Sequence, residues 1–153
     1  MSLLLEKIKE KLGLKERLPP PRRVIHEGSS YHLKEIYDQV NSRYFEGRLS
    51  LQITWYGQLK RRKRRRRHVV FGQYVDALKL VKIHRRLDDP SYPDFFVSFI
   101  VYHEMLHHVV PGYMDARGYY RCHGPEFKRR EREFEHYQKA LVWEKQNHAK
   151  IFS

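Results

Sequence analysis

The 153-residue chain is 41% hydrophobic and 14% aromatic, enough for one domain with a real core and too much for disorder throughout. Its longest apolar run, Phe95 to Tyr102, is interrupted by Ser98 and falls far short of a membrane span. The formal charge is +13, but the unbroken run of eight basic residues Lys60–Arg67 leaves 13 − 8 = +5 for everything else, so the basicity is local.

The N-terminus places a leucine triplet, Leu3 to Leu5, ahead of its charges. A secretory signal runs the other way, from a basic start into a longer apolar stretch, so none is read here. Leu4, Leu5, Ile8 and Leu12 recur at helical spacing until Pro19-Pro20-Pro21 stops any helix. Residues 1–25 are expected to form an arm, either a short amphipathic helix or an irregular terminus, and residues 26–153 the folded domain. Cys122 is the only cysteine, which rules out an internal disulfide and predicts an intracellular, non-secreted protein.

Between 30 and 45, Leu33, Ile36, Tyr37, Val40 and Tyr44 recur at spacings of three and four. This predicts a helix with one buried face, ended by Gly47. Leu51, Ile53 and Trp55 then alternate with Gln52, Thr54 and Tyr56, the pattern of a half-buried strand. Val69 to Val75 reads as a second strand and Lys79 to His84 as a third. The basic run between the first two is expected at the tip of a hairpin. A motif helix of about 17 residues follows, with Asp88, Asp89 or Ser91 as candidate caps and Pro93 at its first position. A loop at 111–122 and a last helix over 125–148 complete the chain, with Phe127, Phe134, Leu141 and His148 at sevenfold spacing. The order predicts an α+β domain in which a small three-stranded twisted sheet packs against the motif helix.

That helix carries the chemistry. His103, Glu104 and His107 spell H-E-x-x-H, and His123 opens His-Gly-Pro-Glu-Phe sixteen residues later. Helical residues four apart share a face, so both imidazoles can reach one metal ion. Two histidines and a glutamate in an apolar helix are costly to bury without a partner, and a metal is the simplest one. His123 is the first choice for a third ligand, with Cys122 and Glu126 as alternatives. Three ligands leave one position open, as catalytic zinc requires. The expected cofactor is zinc (Zn2+), although cobalt, iron or nickel also suit imidazole nitrogens. Zinc lowers the pKa of water from near 15.7 toward about 7. Glu104 would act as general base, passing the proton to the leaving nitrogen of a peptide bond. Tyr113, Tyr119, Tyr120 and Arg121 are candidate oxyanion donors. His108 points about 100° away from His107 and reads as a core or surface residue. His26, His32, His68, His84, His136 and His148 lack ligand spacing.

Tyr44-Phe45-x-Gly47-x-Leu49 ahead of a strand bearing Ile53 and Trp55, followed by His103-Glu-Met-Leu-His107 and His123-Gly-Pro-Glu-Phe127, resembles the SprT-like (Spartan-type) zinc metalloproteases of the zincin class. The resemblance covers roughly residues 31–145. It implies a minimal zincin-like fold, zinc on His103, His107 and His123, Glu104 as general base, and action on DNA-bound proteins. Two features depart from the family pattern. The chain lacks the cysteine-rich zinc ribbon of many relatives, and the basic run has no counterpart in the common pattern.

The run itself, Lys60, Arg61, Arg62, Lys63, Arg64, Arg65, Arg66 and Arg67, repels itself and seeks a polyanion. DNA or RNA would be held without sequence preference, since no base-reading element accompanies it. Arg129, Arg130 and Arg132, alternating with Glu131, Glu133 and Glu135, read as a solvated, salt-bridged face. The expected protein is therefore a monomeric zinc metallopeptidase (HExxH type) acting on protein or peptide substrates, with a nucleic-acid contact through the basic loop and none with membrane. The competing expectation is a nucleic-acid-binding protein with an inactive or structural metal site.

Overall fold

The computed structural model describes residues 23–58 and 69–152. The expected helix within 3–17 and the basic run Lys60–Arg67 lie outside them. Helix α1, Leu33–Phe45, buries Leu33, Tyr37, Val40, Asn41 and Phe45 on the predicted face. It stops where Glu46 and Gly47 enter the left-handed region at φ 55 and 67, and Gly47 N–H returns to the Asn41 carbonyl at 3.0 Å. Glycine takes that conformation without a Cβ clash.

Two buried polar side chains then fix the turn into the sheet. Asn41 exchanges a pair of hydrogen bonds with the Leu49 backbone at 2.9 and 3.1 Å. The Tyr37 hydroxyl accepts from Leu51 N–H at 2.9 Å and donates to the Leu49 carbonyl at 3.1 Å.

Strands β1 (Gln52–Tyr56), β2 (Gly72–Val75) and β3 (Leu80–His84) form one mixed sheet in the order β1-β3-β2. β1 runs parallel to β3, and β2 antiparallel to it. The hairpin expected between the first two strands is therefore absent, because β3 lies between them. Leu80, Val81 and Ile83 are almost wholly buried, which suits the centre, while the less apolar β2 takes an edge.

Both later strands start after the expected residue. Val69–Phe71 is irregular, and Lys79 closes a short 3-10 turn (Asp76–Leu78) in the left-handed region before β3 begins. Thr54, expected on the exposed face, is buried: its hydroxyl accepts from Ile25 N–H at 2.9 Å, and Trp55 N–H donates to the Ile25 carbonyl at 2.9 Å. The residues leading into α1 thus cover the outer edge of β1.

Helix α2, Asp94–Val109, carries the H-E-x-x-H motif and buries eight of its sixteen residues, Glu104 among them. Pro93 is its N-cap and not its first helical residue. Asp88 instead holds the backbone N–H groups of Ser29, Ser30 and Tyr31 at 2.6, 2.7 and 3.1 Å. Asp89 closes the turn at Ser91, accepting its N–H at 2.7 Å.

The segment 111–122, expected as a loop, forms a small antiparallel hairpin of β4 (Tyr113–Met114) and β5 (Tyr120–Arg121). Asp115 stabilises its turn by accepting from Arg117 N–H, Tyr119 N–H and Arg121 Nε at 2.8 to 3.0 Å.

The single last helix expected over 125–148 is broken into α3 (Pro125–Glu131), α4 (Tyr137–Gln146) and α5 (His148–Ile151). The turn at 132–136 inserts Phe134 among Tyr44, Phe99 and Tyr102, with ring centroids 5.3 to 5.5 Å apart. Burying that ring (4% exposed) outweighs continuing an unbroken helix. The change of phase buries Ala140 and leaves Leu141 at 37% exposure. The architecture is α+β, and no helix among the described residues is long and apolar enough to cross a membrane.

Candidate metal centre

His103 and His107, one turn apart on α2, point their Nε2 atoms at each other across 3.3 Å. His123, between β5 and α3, brings its Nε2 to 3.2 Å from that of His103 and 3.1 Å from that of His107. Three nitrogens from two separate elements form a nearly equilateral triangle, close enough together to hold one metal ion. Phe127, one turn into α3 and 1% exposed, supports all three rings, with centroids 4.6 to 5.1 Å away.

The two alternative third ligands stand outside the triangle. Cys122 Sγ lies 3.5 Å from His123 Nδ1, the ring nitrogen opposite the convergence point. Glu126 is paired with Arg129 at 2.8 and 2.9 Å.

The protonation pattern favours a cation. His103 Nδ1 lies 2.6 Å from Glu131 Oε1, and both side chains are largely buried. The carboxylate accepts a hydrogen bond from Nδ1–H, which leaves the Nε2 lone pair facing the triangle. Burial, with His103 and His123 close by, pushes His107 down to about 4. Burial and His103 also lower His123. Imidazole lone pairs turned this closely toward one point repel one another, and a positive charge between them relieves that repulsion.

Glu131 was read from the sequence as part of a solvated, salt-bridged face. Arg129 does pair with Glu126 and Glu133 there, but Glu131 turns inward. Its spacing from the motif, 28 residues, carries no local signal. Outer partners of this kind are worth roughly 10- to 100-fold in metal affinity. Glu131→Ala is accordingly expected to weaken the binding of a divalent metal ion by about that factor, as read by competition with a chromophoric chelator. An unchanged affinity would remove Glu131 from the site.

Glu104 is 7% exposed and lies against the edge strand β2. Burial pushes its carboxyl up to about 7, opposed by His103 and by the Tyr74 backbone N–H that donates to it. Gly72 permits this approach, since a Cβ there would come within 2.7 Å of Glu104 Cγ and 2.8 Å of Oε1.

The triangle and Glu104 open into a cleft of about 710 Å³, walled by residues 69–74 on one side and by Pro111, Gly112, Tyr120 and Leu141 on others. Of the expected oxyanion donors, Tyr120 alone lines this cleft. Tyr113 packs against Gly124, Tyr119 is 63% exposed, and Arg121 is tied to Asp115 at 2.8 Å. His108 is half-buried and hydrogen-bonded to Tyr74, as a histidine off the ligand face should be. Comparison with protein-family models, with curated proteins and with solved structures finds no match to this chain.

Proposed function

We propose that this chain is a zinc-dependent metallopeptidase of the SprT-like, zincin class. The observation that carries the reading is the triangle of three Nε2 atoms with a buried glutamate beside it. Zn–N bonds of about 2.0–2.1 Å at tetrahedral angles set nitrogens about 3.3–3.4 Å apart, and the separations of 3.1 to 3.3 Å come close to that spacing. Among the described residues the metal-capable group has three members, which matches a catalytic site with an open position better than a closed structural one. An ion held there supplies Lewis acidity toward a carbonyl oxygen and makes water a nucleophile at neutral pH.

The chain's own residues do the rest. His103, His107 and His123 hold the ion, and Glu131 fixes the His103 tautomer. Glu104, placed on β2 by the Tyr74 N–H, accepts the proton of the attacking water at a carboxylate oxygen and delivers it to the leaving nitrogen. A cleft of about 710 Å³ walled on one side by the edge strand β2 suits an extended chain segment, which supports a protein or peptide as the substrate class.

The run Lys60–Arg67 is proposed to recruit the enzyme to DNA or RNA through phosphate contacts. One experiment addresses both halves. Zinc-loaded protein is expected to cleave an unfolded substrate such as casein and to lose this on chelation. Binding of single-stranded DNA is expected to weaken with salt, and replacing the eight basic residues with glutamine should flatten that dependence. Zinc-loaded protein that cleaves nothing but still binds DNA would favour the competing reading, a nucleic-acid-binding protein with a structural metal site.

A further inference from the structure

β2 and α2 lie side by side with matched spacing. Strand residues two apart are separated by about 6.7 Å, and helical residues four apart rise about 6 Å. Gly72 and Tyr74 can therefore face Glu104 and His108 in register. The structure uses both contacts. Gly72 abuts the Glu104 side chain, and the Tyr74 hydroxyl sits 2.8 Å from His108 Nδ1, the two rings meeting edge-on with centroids 5.7 Å apart.

The tyrosine proton is committed elsewhere. Tyr74 Oη donates to Asp76 Oδ1 at 3.1 Å, and Asp76 also accepts from Lys79 Nζ at 2.6 Å. An ionised carboxylate only accepts, so the chain has one polarity. His108 Nδ1–H donates to Tyr74 Oη, Tyr74 O–H to Asp76, and Lys79 closes the end. A side chain of β2 is thereby fastened to the turn of α2 just beyond His107, and to the turn after β2 itself.

The Tyr74 backbone faces the other contact. His84 N–H donates to the Phe71 carbonyl at 2.8 Å. With the register Gln73↔Lys82 and Val75↔Leu80, the alternation of an antiparallel ladder turns the N–H groups of Gln73 and Val75 toward β3 and that of Tyr74 outward. Outward is the side from which it can reach the Glu104 carboxylate, whose ionised form a Tyr74 backbone hydrogen bond favours.

We propose that Tyr74 is a positioning residue for Glu104: its phenol, anchored on His108 and Asp76, holds the β2 edge against α2 so that its own backbone N–H stays on the Glu104 carboxylate. The proposal rests on the peptidase reading for its catalytic consequence and on contacts among the chain's own residues for its geometry. The Tyr74 phenol touches no reacting atom, and its effect passes through the backbone to Glu104.

The test uses the full ¹⁵N-labelled, zinc-loaded chain with Tyr74→Phe and, as a second route to the same loss, His108→Phe. Amide hydrogen exchange is followed at residues 73, 74 and 75, beside kcat, KM and zinc content. Each variant is expected to speed exchange at residue 74 by roughly tenfold, the worth of one hydrogen bond, with residues 73 and 75 unchanged. kcat should fall while KM and zinc content hold. Unchanged exchange at residue 74 overturns the proposal. So does equal acceleration at all three amides, which would mean the phenol merely stiffens an edge strand. If the unmutated chain cleaves nothing, the peptidase reading fails by itself, and the residue-74 amide still decides whether the anchor exists.

Discussion

Glu104→Gln is expected to lower kcat for peptide cleavage by about 100- to 10,000-fold, the usual worth of a positioned general base, while zinc content stays at one equivalent. The amide is nearly isosteric with the carboxylate. Its oxygen still accepts from the Tyr74 backbone N–H, so the pocket against Gly72 remains filled. The Glu104 carboxylate is not one of the three grouped metal-capable donors, and the histidines keep their geometry. What disappears is the proton acceptor. Metal analysis beside steady-state kinetics separates these effects. Full activity with full zinc would assign the proton transfer to another group, whereas joint loss of zinc and activity would make Glu104 structural.

His123→Ala is expected to weaken zinc binding by well over the roughly 10- to 100-fold assigned to an outer partner such as Glu131. It removes one of three direct nitrogens, and Cys122 Sγ stands 3.5 Å from Nδ1, on the side of the ring away from the convergence point. His123 is exposed on the segment between β5 and α3, so the metal-free fold should lose little. This gives the measurement its sign. A ligand bound only to the folded state at about 100 times its Kd stabilises it by about 2.7 kcal/mol. Saturating zinc should therefore raise the melting temperature of the unmutated chain and leave that of His123→Ala nearly where it was. An equal rise in both would exclude His123 as a ligand.

Local patterns carried a definite share of this structure. The spacing of Leu33, Ile36, Tyr37, Val40 and Tyr44 marked the inward face of α1, where Leu33, Tyr37 and Val40 are buried and Ile36 and Tyr44 half-buried, and Gly47 marked its end. The i, i+4 histidines shared a face of α2 because helical geometry demands it. Longer-range arrangements were less legible. Nothing in residues 51–84 announces that β3 lies between β1 and β2, since strand order depends on which strand buries most surface on both sides. The sevenfold spacing from Phe127 to His148 suggested one helix, but a single well-packed site for Phe134 was enough to break it.

The same division runs through the metal centre. Residues close in sequence determined by themselves that two imidazoles and a carboxylate would share one helix, because backbone geometry fixes neighbours within a turn. The sequence ranked His123 first as the third ligand, but only the tertiary structure decided for it over Cys122 and Glu126, brought Glu131 to His103, and set Gly72 and Tyr74 beside Glu104. Those pairs are 16 to 32 residues apart, and at such separations contact is set by the packing of whole elements against a common core, which no local spacing encodes.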